Sequence, residues 1–148
     1  MKIAVTADLH LDPKYPDRSH ALKDILKQLE AEGIYDLIIA GDLFDKDGDD
    51  SAYSHLLELC RAHPSVRLHV IPGNHDPEKS LRDVNADNLS KYLEPTVVDF
   101  QGFSMLFIPY RNGISMGDSL LSEKSQVGEG PWGFVGHGDF IEGQREPN

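Results

Sequence analysis

A chain of 148 residues with 39% hydrophobic and 26% charged residues has the material for one domain, 1–148, with a core of its own. Its formal net charge of −11, from 25 acids against 14 Lys and Arg, argues against the basic stripe of a nucleic-acid binder, unless bound cations offset part of it. A single cysteine excludes an internal disulfide and fits a reducing cytoplasm. No stretch has the apolar length of a signal-peptide core or a membrane span.

Taken in chain order, "KIAVTA" (2–7) reads as a short strand that ends at Asp8. "DRSHALKDILKQLEAEG" (17–33) carries Leu22, Ile25, Leu26 and Leu29 at helical spacing, with Gly33 as its C-terminal cap. "YDLIIAG" (35–41) is an apolar strand running into Asp42. "SAYSHLLELCRAH" (51–63) is a helix with Ser51 as the expected N-cap, and in it Cys60 reads as a small buried hydrophobe. "SVRLHVIPG" (65–73) is the third strand, followed by Asn74 and His75. "DNLSKYLE" (87–94) reads as a weaker helix. "TVVDFQGFSMLFIPY" (96–110) is a hairpin turning near Gly102, and "RNGISMGDSLLSEKSQVGEG" (111–130) is a long mobile loop. "PWGFVGHG" (131–138) closes the pattern with a strand, in which Pro131 and Trp132 are expected in turn and core. Alternating β-α-β-α-β with near-continuous apolar strands predicts an α/β fold with parallel pairing.

The chemistry-bearing residues fall at the strand ends. Asp8 and His10 follow the first strand, Asp42 and Asp45 the second, Asn74, His75 and Asp76 the third, and His137 the last. Parallel strands deliver their C-terminal ends to one edge, where ligands bind. Carboxylates, an amide oxygen and imidazoles together suit Mn²⁺, Fe²⁺ or Zn²⁺. Alternation along an extended segment would point Asp8 and His10 the same way. Each piece alone has an ordinary explanation: Gly-Asp is a common turn pair, and Gly-Asn-His-Asp can be a tight turn with a solvated imidazole. Their recurrence in order, each after a strand, favours a site.

"DLH" (8–10), "GDLFD" (41–45) and "GNHD" (73–76) resemble the first three motifs of the calcineurin-like metallophosphoesterases, and "FVGHGDF" (134–140) is similar to the segment carrying the fourth. The opening "MKIAVTADLHLD" and the "GDLFD" form resemble the SbcD-type DNA exonuclease branch. The resemblance implies a metallophosphoesterase-type β-sandwich flanked by helices, and a site for two divalent metal ions, Mn²⁺ foremost. In it Asp8 and His10 hold one ion, Asn74 and His137 the other, and Asp42 bridges them. Water activated between the ions would attack phosphorus in line while they neutralise developing charge. His75 would pass a proton to the leaving oxygen, with Asp45 and Asp76 orienting the ligands, and Gly73 would let the backbone turn. The implied activity is phosphodiester hydrolysis of the DNA-exonuclease kind, with a phosphate-ester substrate such as DNA and an SbcC-like ATPase as partner. The alternatives are a phosphomonoesterase, which the acidic charge favours, and a non-catalytic binding module.

One departure stands out. The family's last motif, Gly-His-x-His, is replaced by "GHGD" (136–139), so the domain reads as incomplete at its C-terminus, with Asp139 as the substitute ligand if there is one. Weak metal binding and a homodimer formed through an unpaired sheet edge are expected from that. "DKDGDDSAYSHL" (45–56) lacks the Gly and Glu of a calcium loop. His20, His55, His63 and His69 are expected to be solvated or packed.

Overall fold

In the computed structural model, residues 1–45, 50–76 and 78–138 are described. Four parallel strands in the order β1-β2-β3-β4 form the first sheet: β1 (Ala4–Thr6), β2 (Asp36–Ala40), β3 (Arg67–Ile71) and β4 (Leu89–Lys91). A second sheet, β5-β6-β7, joins β5 (Thr96–Phe100) antiparallel to β6 (Phe103–Phe107), and β6 parallel to β7 (Trp132–Val135). Three helices connect the strands of the first sheet: α1 (Pro16–Glu32), α2 (Asp50–Ala62) and α3 (Glu78–Asp83). The architecture is the expected α/β one, with a parallel sheet and helices.

Alternation along the central strands sorts their side chains between two cores. Leu37 and Ile39 of β2 and Leu68 and Val70 of β3 pack with Leu22, Leu26 and Leu29 of α1 and Ala52, Leu56 and Cys60 of α2. Ile38 and Ile71 face the other way, onto Phe100, Phe107 and Val135 of the second sheet. Because both faces are covered, these strands carry apolar residues on both sides. Gly33 ends α1 in the left-handed conformation (φ 66°), with its amide on Glu30 O. Cys60 is buried, and burial pushes its thiol up to about 11, as suits a packed hydrophobe rather than a nucleophile. Among the described residues, no helix is long and apolar enough to cross a membrane.

Several expectations are corrected. "DNLSKYLE" is a strand: Leu89–Lys91 pairs with Leu68–Val70, and the Asn88 amide donates to the carbonyls of Cys60, His63 and Val66, which seats the segment beside β3. Apolar residues at 89, 92 and 93 imitate helical spacing. In fact Leu89 belongs to the helix-side core, while Tyr92 packs toward the second sheet. The stretch read as a loop, 111–130, holds α4 (Met116–Glu123) and a short 3₁₀ turn at Lys124–Gln126. Ser115 caps α4 by accepting from the Asp118 amide at 3.0 Å. α2 begins at Asp50, so Ser51 lies within it rather than capping it. Trp132 is 42% exposed on β7, not core. The hairpin turn is where it was expected, with Gln101 (φ 55°) and Gly102 (φ 89°) both left-handed, as a tight two-residue connection requires.

Candidate metal centre

Beyond β1 and β2 the two chain segments stay side by side. The Asp8 amide donates to Gly41 O (3.2 Å), the His10 amide to Asp42 O (2.9 Å) and the Leu11 amide to Leu43 O (2.8 Å). Asp8 (φ 56°), His10 (φ 44°) and Asp42 (φ 52°) all adopt left-handed backbone, which costs a non-glycine residue on the order of 1–3 kcal/mol. The expected extended alternation of Asp8 and His10 is therefore incorrect. They are brought together by two left-handed residues held against the neighbouring segment, and their ligand atoms and that of Asp42 lie within 4.8 Å of one another.

Asp42 is 3% exposed and central. Its Oδ1 accepts the His75 amide at 2.8 Å. Its Oδ2 stands 3.6 Å from His10 Nε2 and 3.4 Å from His137 Nε2. His137 enters from the second sheet, past the end of β7, and its Nδ1 donates to Ala40 O at 2.9 Å. A carbonyl can only accept, so in the neutral ring Nε2 carries the lone pair. That lone pair meets Asn74 Oδ1 at 2.9 Å and the Asp42 carboxylate. Acceptor atoms converging on one another are what a cation resolves. Asp8, His10 and Asp42 could hold one ion, and Asp42, Asn74 and His137 another, from oxygen and imidazole donors that suit Mn²⁺, Fe²⁺ or Zn²⁺. Asp139 lies outside the described residues.

Two glycines make this crowding feasible. A Cβ on Gly41, itself at φ 90°, would collide with the His137 ring, and one on Gly73 with the Asp42 carboxylate and amide. Gly73 does not have a positive φ, so a glycine is needed there for the space it leaves to Asp42.

Asp76 is buried and ties the loops together. Its carboxylate accepts the amides of Gly73 (2.8 Å), Phe44 (2.7 Å) and Leu43 (3.2 Å). Burial pushes its pKa up, against the pull of those three amides, and the Asp42 charge adds to the rise. His75 packs edge-on to His10, with ring centroids 5.0 Å apart. Among the described residues its buried Nδ1 has no hydrogen-bond partner, since Asp45 Oδ1 stands off at 3.7 Å. His10, Asp45 and His75 also have ligand atoms within 4.8 Å of one another. Arg18 of α1 donates to His10 O (2.7 Å) and approaches Asp45 Oδ2 (3.4 Å).

All eight residues singled out at the strand ends thus gather around one centre. A cavity of about 510 Å³ opens onto Asp8, Asp42, Asn74 and His137. Arg18 and Tyr110 escaped the sequence reading. The hint for Arg18 was its place in the first turns of the helix after "DLH", and for Tyr110 its place at the end of "LFIPY".

The family model described as calcineurin-like phosphoesterase matches residues 1–144. The chain belongs to this family. Over 118 residues, 73% of the chain and 44% of the relative, it is 35% identical to a protein of Coxiella burnetii named probable cyclic nucleotide phosphodiesterase. Over 128 residues, 81% of the chain and 48% of the relative, it is 30% identical to a UDP-2,3-diacylglucosamine hydrolase of Pseudomonas syringae. A crystal structure of the Pseudomonas putida nuclease MPE is similar over 74% of this chain and 55% of that one, with a TM-score of 0.47 and 24% identity. The chain spans about half the length of the curated relatives it matches.

Proposed function

We propose that this phosphoesterase domain hydrolyses phosphodiesters with two divalent cations. The observation that carries the reading is the Asp42 carboxylate standing between His10 Nε2 and His137 Nε2, with Asn74 Oδ1 on the His137 ring. When bound, the cations supply Lewis acidity, lowering the pKa of water and neutralising charge on phosphoryl oxygens.

The chain's own groups do the rest. Asp8, His10 and Asp42 would hold one cation, and Asp42, Asn74 and His137 the other. Ala40 O holds the His137 ring in the tautomer that leaves Nε2 free. His75 donates a proton to the leaving oxygen, and Asp45, beside Nδ1 and steadied by Arg18, holds the imidazole's charge and orientation. Asp76 keeps the Leu43–Phe44 and Gly73 backbones in register, and so keeps Asp42 and Asn74 in place.

A diester substrate is supported by the phosphodiesterase name of one relative, and by "MKIAVTADLHLD" and "GDLFD", which suggest exonuclease-like chemistry on DNA. The net charge of −11 favours a small diester over a long polyanion. Turnover of bis-p-nitrophenyl phosphate, p-nitrophenyl phosphate and single-stranded DNA with Mn²⁺ tests this. Diester hydrolysis should dominate. Monoester turnover far above diester turnover would overturn the diester assignment, and metal binding without any turnover would favour a binding module.

A further inference from the structure

The segment after β6 does more than connect. The Ile108 amide donates to Val135 O at 2.9 Å, and the Tyr110 amide to Pro72 O at 3.0 Å. These bonds fasten residues 108–110 to the strand that delivers His137 and to the loop that delivers Asn74. The next residue, Arg111, therefore stands at a fixed offset from both. A second cavity, of about 330 Å³, is lined there by Asn74, Asp76, Glu94, Tyr110, Arg111 and Asn112. It shares Asn74 and Tyr110 with the cavity over the metal centre, so the two cavities adjoin at those residues.

Resting on the phosphoester reading above, we propose that this adjoining cavity is a second anion subsite, in which Arg111 receives a phosphate adjacent to the one held at the cations. The Arg111 guanidinium now donates to Glu94 Oε2 at 2.6 Å. The Glu94 side chain is 75% exposed, so that pair is screened and contributes little, and Glu94 can turn into water when a stronger anion arrives. A phosphate offers a planar guanidinium two parallel charge-assisted bonds, and Tyr110 and Asn112 line the same cavity. Arg18, the guanidinium beside His10, is already engaged by His10 O and Asp45. Glu94 thereby acts as a placeholder that a compound with a single phosphate leaves undisturbed.

The test is calorimetric binding of thymidine 3′,5′-bisphosphate and thymidine 5′-monophosphate to the Mn²⁺-loaded chain, with metal content measured for every variant. The wild type should prefer the bisphosphate by about tenfold, as expected for one charge-assisted contact. Arg111→Gln should abolish the preference by weakening the bisphosphate alone, and Glu94→Gln should widen it. An absent preference in the wild type, or an Arg111→Gln effect equal on both compounds, would overturn the subsite. Failure to hydrolyse bis-p-nitrophenyl phosphate with the preference intact would instead count against the catalytic reading alone.

Discussion

Two polar clusters sit at opposite ends of β2 and β3, built from the same kinds of side chain. At the beginnings of those strands, Asp36 Oδ1 takes Arg67 Nε at 2.8 Å and His69 Nε2 at 2.9 Å, and Asp36 Oδ2 takes Arg67 Nη2 at 2.7 Å. His69 Nδ1 meets the Tyr92 hydroxyl at 2.8 Å, and its ring packs against Phe100 and Phe107. Here each of these acceptors faces a donor, and the cluster closes on itself. At the other end, Asp42, Asn74 and His137 turn acceptors toward one another, His75 Nδ1 is buried without a hydrogen bond among the described residues, and three residues have left-handed backbone. Buried polar groups are normally satisfied. The end that satisfies its groups internally is structural, and the end that leaves them facing each other is arranged for something that arrives from solution.

The largest expected effects break the open end. Asp42→Ala removes the carboxylate between both imidazoles, so elemental analysis should find metal lost from both positions, with activity down by about a thousandfold or more. His75→Ala should reduce kcat by about 10²–10⁴-fold, the usual contribution of a positioned acid, while metal content stays at the wild-type level. Equal metal content in the two variants would contradict that division of labour.

A subtler change attacks the crowding. Gly41→Ala adds a methyl against the His137 ring at a position already at φ 90°, and Gly73→Ala adds one against Asp42. Each should lower metal affinity by about 10–100-fold, as displacement of a ligand's supporting contacts does, without altering the circular dichroism of the fold. Unchanged metal affinity in Gly73→Ala would mean that Asp42 is not held where the glycine lets it stand.

The open end was largely legible in the chain because strand ends announce it: "DLH", "GDLFD" and "GNHD" each follow an apolar run, and the parallel sheet brings them together. The left-handed backbone at Asp8, His10 and Asp42 was not legible, since it depends on the bonds between neighbouring segments rather than on residue preference. The closed end was missed for a related reason. In the sequence His69 reads as one more packed strand residue, and Tyr92 falls in the helix-like spacing of "DNLSKYLE". Their meeting depends on β4 lying beside β3 and on the second sheet stacking over both. Similarly, α4 was hidden by its Gly and Ser content, although Ser115 and Asp118 carry a capping pattern.

The closed end makes the smallest prediction, and it concerns pH. Burial pushes the Asp36 carboxyl up, but the hydrogen bonds from Arg67 and His69 outweigh it and hold the pKa below the ordinary 3.8. A group with a lower pKa folded than unfolded stabilises the fold above its unfolded value, and that contribution disappears as pH falls through the folded one. Stability measured by urea unfolding should therefore be level near neutrality with respect to this group and decline below about pH 4. Asp36→Asn keeps the shape but removes the charge. It should cost about 2 kcal/mol at neutral pH, where a charged hydrogen-bond acceptor is lost, and should flatten the acid limb of the profile. Metal content should not change, because the two clusters lie at opposite ends of the strands. An Asp36→Asn profile parallel to the wild type down to pH 3 would show that the acid sensitivity resides elsewhere, and a loss of bound metal in that variant would show that the two ends are coupled.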